Sequence, residues 1–155
     1  MKKYIMPILS ALLVGFLLAK FMINQYDKKE NLKTVFNSYE TLYFIQQGVY
    51  STKESMEKNM SDFAYYIYNI ENDKYYTYIG ITKTKENSDK LKGFYEKLGY
   101  ITYIKEINVD NIGFVEILNQ YDQLLETTED ENTIKAICSQ VLSKYEELIL
   151  NEREN

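Results

Sequence analysis

The sequence predicts an α+β domain: a four-stranded antiparallel sheet threaded β-α-β-β-α-β, followed by two further helices. Three observations carry that prediction. The first is an internal repeat, in which Gly48-Val-Tyr-Ser-Thr-Lys-Glu-Ser-Met-Glu-Lys58 realigns with Gly80-Ile-Thr-Lys-Thr-Lys-Glu-Asn-Ser-Asp-Lys90 at an offset of 32 residues. The second is that each copy is preceded by an aromatic and β-branched run and passes through a Ser/Thr/Lys turn into helical spacing, the pattern of a strand feeding a capped helix. The third is the polar tetrapeptide Glu71-Asn72-Asp73-Lys74 between the two copies, which has the length and composition of a hairpin turn.

Taken in order, residues 4–23 are apolar except for Ser10 and Lys20. Twenty helical residues at ~1.5 Å each cover a hydrocarbon core of ~30 Å. Lys20 lies near enough to the end to reach the headgroups, and Pro7 falls in the first turn, where its missing N–H matters little. Met1-Lys2-Lys3 would also suit a secretory signal, but no small-x-small cleavage site follows. Residues 1–23 are therefore expected to be an uncleaved, single-pass membrane anchor. Lys2 and Lys3 on one side face Lys20, Lys28 and Lys29 on the other, so basic residues do not decide its orientation.

Residues 24–41 are polar, with Leu32, Val35, Phe36 and Tyr39 at helical intervals, and are expected to form a short helical spacer. The first strand is expected over 42–48 and its helix over 53–62. Strands over 64–70 and 75–80 follow on either side of the hairpin turn, then a helix over 85–98 closed by Gly99 and a last strand over 101–109. Such a split βαβ unit is the ferredoxin-like arrangement, with strand order 4-1-3-2 and both helices on one face.

Side-chain alternation along the two central strands offers two sets. Tyr43, Ile45, Gln47, Tyr75, Thr77 and Ile79 contain both isoleucines and are assigned to the helix-covered face. Phe44, Gln46, Tyr76 and Tyr78 then occupy the opposite face, flanked by Tyr66 or Tyr68 and by Thr102 and Ile104. Left open, that face is an aromatic and amide surface suited to sugar rings, whose C–H faces lie on aromatics while amides satisfy the hydroxyls. Covered by the C-terminal helices, the same tyrosines would be core.

Residues 110–155 are expected to be a helical extension, with helices over 111–126 and 131–153 and Asp130 as the cap of the second. Ile134, Ile137, Cys138, Val141, Leu142, Tyr145, Leu148 and Ile149 recur at helical spacing. The stripe would pack on the sheet domain or form a partner seam. This tail carries 3 basic against 11 acidic residues, whereas residues 1–109 carry 15 against 12. Acidity of that kind argues against nucleic acid as a partner.

Histidine is absent and Cys138 is the only cysteine, which removes an intrachain disulfide, the usual zinc and haem ligands and the usual base of Ser and Cys hydrolases. No cofactor, metal site or catalytic residue is expected. The sixteen tyrosines, against seven phenylalanines and no tryptophan, suit half-buried sheet surfaces.

Ile45-Gln46-Gln47-Gly48-Val49-Tyr50 resembles the V-Q-x-G-x-F opening of SPOR domains, and Tyr76-Thr77-Tyr78-Ile79-Gly80 resembles their Y-R-V-x-x-G element. Gly99-Tyr100 matches the close of their L-x-x-x-G-Y, with Leu98 shifted next to the Gly. The resemblance covers about residues 42–109. It implies a non-catalytic domain that binds septal peptidoglycan, particularly glycan strands stripped of stem peptides, on the exposed sheet face of a protein of cell division or sporulation. Carried over, it makes Gln46 the central amide and sets Val49 at the border of the groove. Tyr76 falls near the place where many members have Arg, and Phe44, Tyr78 and Ile104 complete the face. It also places the C-terminal part outside the cell membrane.

Overall fold

A computed structural model describes residues 39–150. The expected anchor, and all of the expected spacer before Tyr39, lie outside the described residues. Among the described residues no helix is long and apolar enough to cross a membrane.

The elements are β1 (Glu40–Tyr50), α1 (Lys53–Asn59), β2 (Ile67–Glu71), β3 (Lys74–Thr82), α2 (Lys85–Lys97), β4 (Tyr103–Val109), α3 (Ile112–Thr127) and α4 (Glu131–Tyr145), the last running on into a π-helical turn, Glu146–Leu150. The four strands form one antiparallel sheet in the order β2-β3-β1-β4. The fold is thus α+β, threaded as the repeat predicts.

The repeat reappears as repeated capping. Thr52 and Thr84, 32 residues apart, each start a helix by accepting a hydrogen bond at 3.2 Å from the backbone N–H three residues on, Ser55 and Asn87 respectively. Asn111 and Asp130 cap α3 and α4 in the same way, each at 2.8 Å. Between β2 and β3, Asn72 and Asp73 both take positive φ (50° and 58°), the geometry of a two-residue turn whose twist matches the strands. Gly99, at φ 91°, ends α2.

Several boundaries differ from expectation, among them those of β1, β2 and α4. Strand β1 begins at Glu40, inside the expected spacer, because Glu40 and Thr41 pair with Val109 and Asn108 of β4. Strand β2 begins at Ile67 rather than at residue 64, because the preceding residues turn away to pack: Phe63 lies 4.7 Å from the Tyr100 ring, and the Tyr65 hydroxyl donates to Glu146. Helix α4 is regular only to Tyr145.

Since β2 pairs with β3 only as far as Tyr78, the remaining half of β3 meets α4 instead. Gly80 makes that approach possible: a Cβ there would stand 3.2 Å from Leu91 Cδ1 of α2 and 3.5 Å from Cys138 Sγ of α4. Residues 77–82 are buried without a break.

On the helix-covered face Ile45, Thr77 and Ile79 are buried as expected, with Tyr43, Gln47 and Tyr75 half-buried. The opposite face is not left open along its length. The Phe44 ring stands edge-on between Tyr78 (5.4 Å) and Tyr145 of α4 (5.3 Å), and Tyr145 in turn meets Phe114 of α3 at 5.3 Å. The α4 stripe from Ile134 through Tyr145 is buried in this core, so the helix packs on its own domain.

Two polar clusters pin α3. The buried Asp122 carboxylate accepts from the Thr82 hydroxyl, from the Lys83 N–H (2.8 Å) and from Asn87 Nδ2 (3.2 Å). Lys90 Nζ donates to the carbonyls of Leu125 (2.8 Å) and Thr128 (2.6 Å) at the other end of the same turn region, where a cation complements the helix dipole.

Candidate functional site

The C-terminal helices divide the predicted sugar-binding face in two. Phe44 and Tyr78 fall in the covered half, 1% and 3% exposed, and their rings belong to the core. Sequence spacing assigns a side chain to a face but not to the covered or open part of it. The expectation of an open surface is corrected at these two positions.

Ile104 is corrected for a different reason. It pairs directly with Ile45, so it points to the helix-covered face, and Thr102 beside it is buried. Residues on that strand that share the face of Phe44 and Gln46 are their direct partners, Lys105 and Tyr103. A shift of one residue in strand phase moves every side chain to the other side of the sheet.

The open half lies toward the C-terminal end of β1. Gln46 pairs with Tyr103 on one side and Tyr78 on the other, and Val49 pairs with Tyr76, which also pairs with Asn69. Tyr103 is 61% exposed and Val49 42%, while Gln46 and Tyr76 are half-buried. Three of the six expected residues, Gln46, Val49 and Tyr76, therefore share one accessible surface, joined by Tyr103.

A charged group crosses the same surface. From β4, Lys105 reaches over the sheet so that its ammonium lies 5.0 Å from the centre of the Tyr76 ring and 3.9 Å from Glu71 Oε2 on β2. Its charge also acts on the Tyr78 hydroxyl. Burial pushes that hydroxyl up, and Lys105 draws it part of the way back. Lys105, Tyr103 and Glu71 escape the alternation of the two central strands because they come from the edge strands. Their only sequence signal is the Tyr103-Lys105 alternation, which requires the β1–β4 register to be placed.

The surface offers rings, an amide and one cation, with no nucleophile beside a base. Among the described residues no group of three or more His, Cys, Asp or Glu could hold a metal ion. Elsewhere, a cavity of about 220 Å³ is lined by Phe63, Tyr95, Tyr100 and Cys138, with Asp62 and Lys135 also in its wall. Burial pushes the Cys138 thiol up to about 12, so it is not poised as a nucleophile.

Comparison with protein-family models, with curated proteins and with solved structures finds no match for this chain.

Proposed function

We propose that this chain is a non-catalytic, membrane-anchored peptidoglycan-binding protein of bacterial cell division or sporulation. Its ferredoxin-like, SPOR-type sheet domain stands on the outer side of the membrane and holds a glycan strand on the open half of the sheet. The observation that supports this reading best is the grouping of the Gln46 amide with the Tyr76 and Tyr103 rings on an uncovered surface. Rings take the apolar faces of sugars, and an amide both donates to and accepts from their hydroxyls. The site is narrower than the sequence suggests, consisting of Gln46, Val49, Tyr76 and Tyr103, with the Tyr78 hydroxyl reached only through Lys105.

A second reading is an interaction module for a division or sporulation protein, with no glycan bound. What favours it is the exposure of Ile101 (72%) and Tyr103 (61%) at β4 and of Ile70 (56%) on β2, the two edge strands of the sheet. The α4 stripe would not be the docking seam in this version, because it is already buried.

The test is sedimentation of the full-length chain, in detergent, with purified peptidoglycan sacculi before and after amidase removes the stem peptides. Enrichment on stripped glycan, abolished by Gln46→Ala and by Tyr76→Ala with melting temperatures within a few degrees of the unaltered chain's, is the expected result. Failure to sediment with either preparation rejects glycan binding and favours the interaction module.

A further inference from the structure

We infer that Lys105 makes the open half-face selective for a sugar bearing a free carboxylate, an inference that rests on the glycan-binding reading above. The surface has the charge for it. The whole chain carries −5, yet this half-face holds the Lys105 ammonium against the Glu71 carboxylate, whose register partner across the hairpin is Lys74. A site built only for neutral sugars has no use for a cation held across its aromatic floor.

The cation is also loosely held. At 3.9 Å its contact with Glu71 is well beyond the ~2.7–2.9 Å of a strong charge-assisted hydrogen bond. Both side chains remain partly in water, 39% exposed for Lys105 and 53% for Glu71. An exposed pair of this kind contributes little and is readily exchanged for a better partner. The Tyr76 ring keeps the ammonium over the sheet meanwhile. A sugar laid on Tyr76 with a carboxylate toward β4 meets Lys105 at full hydrogen-bonding distance and excludes water from the contact, which strengthens it. A neutral sugar takes the Tyr76 ring from the Lys105 ammonium and leaves it with Glu71 as partner. Lys105 thus acts as the specificity-determining residue, and Glu71 as an internal competitor for it.

The experiment is calorimetric titration of the full-length chain in detergent micelles with three soluble probes. These are a peptide-free strand of alternating N-acetylglucosamine and N-acetylmuramic acid, the same strand with its lactyl carboxylates converted to methylamides, and a chitin oligomer. The acidic strand is expected to bind about tenfold more tightly than its amidated form, equivalent to about 1.4 kcal/mol. Lys105→Gln should bring the acidic and amidated strands to equal affinity, with the melting temperature within a few degrees of the unaltered chain's. Glu71→Gln should tighten the acidic strand alone. Equal binding of acidic and amidated strands by the unaltered chain overturns the inference while leaving glycan binding intact. Binding of none of the three probes overturns both.

Discussion

Replacing Phe44 by Ala tests whether the C-terminal helices truly cover the inner half of the sheet. Phe44 is 1% exposed, and its neighbours Tyr78 and Tyr145 are themselves buried, so the void left by the ring is walled by side chains that cannot swing in from solvent. Its two edge-on contacts, to Tyr78 and to Tyr145, go with it. Phe-to-Ala changes in such settings cost about 3–5 kcal/mol. That is a large part of the ~5–15 kcal/mol that holds a domain folded. For a domain of this size it corresponds to a fall in melting temperature of about 10–20 °C. Tyr76→Ala is the contrast: its half-buried ring carries the Lys105 ammonium, a contact of ~0.5–1 kcal/mol in an exposed setting, so the fall should be only a few degrees. The assay is thermal unfolding followed by circular dichroism, with urea midpoints as a check, and glycan sedimentation well below the midpoint of each variant. Phe44→Ala should still sediment while folded, and Tyr76→Ala should not. Should Phe44→Ala melt within a few degrees of the unaltered chain, the inner half-face is not a core and the division of the sheet surface is wrong.

Two further predictions concern buried groups. Burial holds the Asp122 carboxyl above the usual carboxylate range, while Thr82, Lys83 and Asn87 pull it back toward it. The folded chain therefore binds that proton more tightly than the unfolded one. This contribution to stability is fully present below the ordinary carboxylate range and is lost as pH rises through the raised value. Relative to Asp122→Asn, the unaltered chain should gain stability as pH is lowered from 7 to 4, read as the difference in urea midpoints; a difference that moves the opposite way refutes the assignment. Cys138, with its thiol raised to about 12 by burial, should react with a thiol reagent at pH 8 only after denaturant opens the core. Rapid labelling of the folded chain would show that α4 does not stay packed on β3.

Much of the fold is local and was therefore legible along the chain. The repeat placed Thr52 and Thr84 as helix starts because a cap acts within three residues of itself. Asn72-Asp73 and Gly99 marked their turns because positive φ is a property of single residues. The burial of Ile45, Thr77 and Ile79 followed from period-two alternation, since opposite faces of one strand are decided by the pleat. The α4 stripe was equally readable as an apolar face, though not what it would meet.

The candidate site was readable only where it lies on the central strands. Gln46 and Tyr76 could be named because alternation along β1 and β3 relates them to the core, whereas Val49 came only from the SPOR resemblance and reaches this face through the register shift between Gln46 and Gly48. Ile104 was assigned to the wrong face, and Tyr103 and Lys105 were passed over, because the phase of β4 depends on its register with β1, a pairing of residues more than fifty positions apart. Phe44 and Tyr78 were indistinguishable in sequence from the open residues of the same face. The sequence by itself determined the order of elements, the turns at Asn72-Asp73 and Gly99, the Asp130 cap and the face of the central side chains ahead of the β1 register shifts, all consequences of interactions within a few residues. Only the tertiary structure decided how far α3 and α4 reach across that face, because coverage depends on the packing of Tyr145 on Phe44, of Phe114 on Tyr145 and on the docking of α4 beside Gly80. These are contacts between distant segments, whose geometry no local pattern encodes.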